Sequence, residues 1–138
     1  MFTSTPVVVA ERVAIALLRC GFWAPLAICT YLAFAPSPPE QVSRISDVLL
    51  HGFAFTYLTV ALGLAHQLRG WWRTGGWMVA YGVAIEVVQS FEPTRTAELK
   101  DVAVDCLGVG AGLVILWLIG ERVRRVSLQI TRVLLREA

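Results

Sequence analysis

Three pairs of polar side chains recur at helical spacing in an otherwise apolar chain: Asp47 with His51, Glu86 with Gln89, and Asp101 with Asp105. Residues three or four apart share one face of a helix, so each pair points one way. His51 has the chemistry of a general acid or base, or of a metal ligand, and Asp47 could orient its second ring nitrogen. Asp47 could equally cap a helix N-terminus, with Ser43 or Ser46 helping. Two carboxylates spaced like Asp101 and Asp105 share a divalent cation, share a proton, or divide between separate basic partners. Asp101, closer to a helix start, is stabilised there by the helix dipole, which leaves Asp105 as the deeper, working group. Glu86 offers a third carboxylate, for chemistry or for locking two helices together. Gln89 offers an amide of the kind that commonly bridges membrane helices. Arg95, approached through Pro93, carries a planar guanidinium that could clamp a carboxylate or hold a phosphate bidentately. Lys100 reads as a headgroup anchor. His66 lies far from these groups along the chain and is assigned no role.

The elements that must position these groups are helices in a membrane. The 138-residue chain is 57 % hydrophobic and 16 % charged, an unusual balance for a soluble globule. A spanning helix needs about 20 mostly apolar residues. Four stretches qualify, at about 13–35, 47–66, 75–91 and 101–120, the third short enough that it could start further back at Trp71 and Trp72. Proline-containing breaks at Ala35–Pro39 and Phe91–Arg95, and Arg69-Gly70, separate them. Charge at mid-membrane costs about 2.5–3.5 kcal/mol per residue on insertion scales, so a set of ionisable groups gathered at one end of the spans marks a functional site. The first ten residues lack the positive start of a cleavable signal, and the first apolar stretch is long enough to remain as an anchor. Cys20, Cys29 and Cys106 sit within spans without metal-ligand spacing and read as packing residues.

Basic residues set the expected orientation. Nine (Arg12, Arg19, Arg69, Arg73, Arg122, Arg124, Arg125, Arg132 and Arg136) fall on the side of the termini, against three (Arg44, Arg95 and Lys100) on the other. That asymmetry puts both termini in the cytoplasm and the polar set at the extracytoplasmic face of a cytoplasmic membrane. Residues 121–138 place Val123, Val126, Ile130, Val133 and Leu134 on one helical face and arginines on another. They read as a basic amphipathic helix lying along an anionic leaflet, or as a solvated extension of the fourth span. The expected fold is therefore all-α: a four-helix membrane bundle over 1–120 with a cytoplasmic tail over 121–138. Nucleic acid is an improbable partner, because apart from that tail the positive charge forms no concentrated face.

Taken in order, Asp47-x-x-x-His51, then Glu86-x-x-Gln89 followed by Pro93 and Arg95, then Asp101-x-x-x-Asp105-x-x-Gly108-x-x-x-Gly112, the chain resembles the VanZ-like proteins. These are small bacterial membrane proteins named for an accessory factor of glycopeptide resistance associated with teicoplanin. The resemblance covers about residues 40–115 and implies membrane topology, an envelope context and a shared polar site. Members commonly carry Asn where Asp105 stands, which argues against a fixed two-aspartate metal site.

Two function classes follow. One is an enzyme acting on a lipid or lipid-linked, phosphorylated envelope molecule, with His51 as acid–base, Glu86 and Asp105 positioning a nucleophile or a divalent cation, and Asp47, Gln89, Arg95 and Asp101 binding. The other is a non-catalytic accessory protein whose polar residues bind a headgroup, an envelope precursor or a glycopeptide, or form an ion-pair network that locks helices. A homo-oligomer is compatible with either.

Overall fold

In hydrocarbon every backbone N–H and C=O must be satisfied internally, which drives long apolar segments into helices. The computed structural model describes residues 6–35, 47–66, 70–91 and 99–134. They form four helices: α1 (Pro6–Phe34), α2 (Asp47–His66), α3 (Trp71–Gln89) and α4 (Leu99–Leu134). The protein is an all-α membrane bundle. Arg12–Phe34, Val48–His66 and Lys100–Gly120 are each long and apolar enough to cross a bilayer. The third helix is less apolar because it carries Arg73, Thr74, paired glycines and Glu86, and it begins at Trp71. Helix α4 continues unbroken to Leu134, so the backbone of the basic tail is helical through that residue.

The surface is apolar. Phe53, Trp77 and Leu107 are at least 70 % exposed, an arrangement that favours lipid as the surrounding medium. The buried core is small: Phe22, Phe55, Leu58, Leu62, Ala65, Met78 and Val109. Burial of side chains alone therefore does little to hold the bundle, and close backbone approach does more.

Helix α2 is the hub, packed most extensively on α4 and also touching α1 and α3. Its contact with α4 depends on glycine. A Cβ at Gly108 would stand 2.7 Å from the Gly52 carbonyl oxygen, and one at Gly112 would stand 2.6 Å from Thr59 Cβ and 2.8 Å from the Thr56 carbonyl oxygen. Thr56 Oγ1 donates to its own helix at Gly52 O (2.7 Å) and reaches Gly108 O of α4 (3.1 Å). Helix α3 starts from Gly70, whose φ of 99° suits a residue without Cβ. It then buries Gly75, Met78, Gly82, Ile85 and Gln89, an alternating three-four spacing that forms one seam.

Helix α1 has a break in its hydrogen bonding that α2 repairs. Pro25 lies within α1 and has no N–H to give to Gly21 O. Tyr57 Oη donates to that same carbonyl at 2.7 Å. At the other end, Ala33 O belongs to the last turn of α1, where carbonyls lack intrahelical donors, and Gln89 Nε2 donates to it at 2.9 Å. Midway, Thr30 Oγ1 and Tyr81 Oη are 2.8 Å apart and tie α1 to α3.

Candidate functional site

Antiparallel neighbours in this bundle bring the first turns of α2 and α4 and the last turn of α3 to one end. His51 sits in the second turn of α2, and Asp105 sits in the second turn of α4. His51 Nδ1 and Asp105 Oδ1 are 2.8 Å apart. The Asp105 side chain is 3 % exposed and the His51 side chain 24 %. A carboxylate this deep needs a charged or strongly polar partner, and the imidazole supplies it. Because Nδ1 is engaged, the neutral ring carries its proton there and Nε2 becomes the nitrogen able to exchange a proton with a ligand.

The surroundings fix both groups. The His51 ring lies parallel to Phe55, interplanar angle 7° with centroids 6.4 Å apart. Phe55 in turn meets Tyr81 of α3 at 5.8 Å. Gly82 of α3 makes room for the carboxylate: a Cβ there would stand 2.8 Å from Asp105 Oδ2 and 3.1 Å from the Phe55 ring. Oδ2 itself is sealed from the surroundings and has no hydrogen-bond partner among the described residues. Glu86, one turn further along α3 from Gly82, is buried, and its carboxylate and those of Asp101 and Asp105 are within electrostatic reach of His51.

The polar residues expected from spacing do not all gather. His51, Asp105, Glu86 and Asp101 do. Gln89 is turned toward α1 and its amide N–H is spent on Ala33 O. Lys100 is exposed. Asp47 opens α2 but its side chain falls outside what is described, as does Arg95. The partner of His51 at Nδ1 comes from α4. Among the described residues no three His, Cys, Asp or Glu side chains come together as a metal site. Among the described residues, the hydroxyls of Thr56, Thr59 and Ser90 donate to the backbone carbonyls of Gly52, Phe55 and Val87. The arrangement can thus move a proton.

Sequence reasoning missed Phe55 and Thr56 as supports of the site. The signal was present, since Phe55 is one turn from His51 and Gly52-x-x-x-Thr56 is a small-residue pair that complements Gly108-x-x-x-Gly112.

The family model described as VanZ/LLP1 matches residues 22–120, a stretch that contains every described member of the polar cluster. The chain belongs to the VanZ/LLP1 family. No curated protein and no solved structure matches it significantly. As a VanZ/LLP1 member it is a membrane protein with several apolar spans.

Proposed function

We propose that this VanZ/LLP1 protein acts on the polar part of a lipid or lipid-linked envelope molecule at the extracytoplasmic face of the cytoplasmic membrane, with His51 as the proton-transferring group. The observation that carries the reading is the 2.8 Å contact of His51 Nδ1 with the buried Asp105 carboxylate. Asp105 holds the ring in one tautomer and stabilises the imidazolium that forms when Nε2 takes a proton. In this scheme Nε2 removes the proton from a water or substrate hydroxyl as it attacks and returns it to the leaving oxygen. Glu86 and Asp101 are ionisable groups that position the reacting headgroup. The outward placement of the site follows from the nine-to-three distribution of basic residues described above.

The test is lipid and envelope-precursor profiling of cells making the wild type, His51→Ala or Asp105→Ala at equal membrane levels. A species consumed or formed only by the wild type is the expected result and names the substrate class. Identical profiles in all three strains refute catalysis.

One observation favours a second reading, in which the polar residues lock helices and bind without turnover. Gln89 already bridges α3 to α1 in this way. On that reading the same variants leave every lipid species unchanged and lower the unfolding temperature in detergent.

A further inference from the structure

The opposite end of the bundle holds a histidine that the proposed chemistry does not use. His66 closes α2. Its ring is held edge-on by Phe22 and Trp23, with centroids 5.8 and 5.9 Å away and interplanar angles of 86° and 89°. Its Nε2 is shielded from the surroundings and has no hydrogen-bond partner among the described residues. A buried ring nitrogen without a partner is unfavourable until something bonds it.

The same ring lines a cavity of about 510 Å³ between α1, α2 and α3, walled by Phe22, Leu62, Met78 and Tyr81. That volume is in the range of small-ligand sites. The Tyr81 hydroxyl is taken by Thr30, and Trp23 and Trp77 stand at the rim, 55 % and 70 % exposed. An apolar slot open to hydrocarbon, lined by a histidine whose Nε2 is shielded and unsatisfied, fits an alkyl chain that ends in a hydrogen-bond acceptor. His66 is the last residue of a stretch long and apolar enough to cross a bilayer, and the end of such a stretch falls near the interfacial layer that holds a lipid's ester groups. Trp71, Trp72 and Arg73 open α3 at the same end and are exposed, as suits the interface and a lipid phosphate.

We propose that this cavity binds one acyl chain of a phospholipid from the leaflet on the His66 side, the His66 ring turning on binding so that its otherwise shielded Nε2–H donates to the ester carbonyl. The site is separate from the His51–Asp105 pair and does not depend on the reading given for it.

The experiment uses the full chain reconstituted in phosphatidylcholine vesicles containing a minor fraction of phosphatidylglycerol with a diazirine midway along one acyl chain. After irradiation, peptide mapping locates the adducts. Labelling is expected to concentrate on Leu62, Met78 and Tyr81. His66→Leu should lower it about fivefold, the equivalent of one hydrogen bond, while His66→Gln, which keeps an N–H donor, retains it. Ala84 lines the cavity and is exposed, so Ala84→Phe fills the slot without entering the core. That variant should lose the cavity adducts yet keep those on the lipid-facing Leu107 and Val114, both more than half exposed. Cavity labelling no greater than at Leu107 and Val114, or cavity adducts that persist in Ala84→Phe, would mean ordinary surface lipid only and overturn the proposal. Complete displacement of the phospholipid by an equal amount of free fatty acid would overturn it too.

Discussion

Asp105 is the residue whose two oxygens carry different duties. Oδ1 faces His51, and Oδ2 rests against the space that Gly82 leaves open. Asp105→Asn keeps an acceptor at Nδ1 but removes the charge that stabilises an imidazolium, whereas Asp105→Ala removes both. If His51 is the acid–base group, Asp105→Ala should match His51→Ala, a loss on the order of 10²–10⁴-fold in turnover of the species found by profiling. Asp105→Asn should fall between those variants and the wild type. Gly82→Ala places a methyl against Oδ2 and the Phe55 ring, so it should destabilise the bundle by about 1–3 kcal/mol and reduce turnover with it, as read from unfolding in detergent. At this scale the sequence was informative about residue type and depth: His51, Glu86, Asp101 and Asp105 do share one end. It was not informative about pairing. Local spacing points only to Asp47, whose side chain lies outside the described residues, whereas Asp105 is 54 residues away and its contact depends on how two helices dock.

Helices α2 and α4 hold that pair in place through backbone proximity. Gly112→Ala would press a methyl on the Thr56 carbonyl and Thr59 side chain, and backbone cannot swing aside. Nothing lies within 4 Å of a Cβ at Gly110, two residues away. Gly112→Ala should therefore lower the unfolding temperature markedly and Gly110→Ala should not, a contrast that separates packing from helix propensity. A second test concerns α1. Tyr57→Phe removes the donor to Gly21 O and should cost about 0.5–1.5 kcal/mol. In a Pro25→Ala background the helix regains its own N–H for that carbonyl, so the same Tyr57 change should cost much less. A double-mutant cycle without coupling would show that Tyr57 does not serve the proline break. The close contact at Gly108 and Gly112 was legible from spacing. The Tyr57 bond was not, because a tyrosine in a span carries no sign of which carbonyl it will find.

For the whole molecule, four apolar stretches and their breaks were enough to predict an all-α membrane bundle. The third helix was the hardest to delimit, since Arg73, Thr74 and its glycines dilute the apolar pattern at its start. The basic-residue asymmetry predicts that a reporter enzyme active only outside the cytoplasm stays silent when fused after Ala138 and becomes active when inserted between residues 36 and 46; the reverse pattern would invert the proposed orientation.

The separation of His51 and Asp105 along the chain also has a bearing on biosynthesis. A ribosome delivers α2 well before α4, so a nascent protein with three helices already inserted holds His51 without Asp105. On the proposed chemistry, competence arises only when the last span enters and docks. On the same reading, a gene split between α3 and α4 would make two pieces without activity, and function restored by expressing them together would report their meeting in the bilayer.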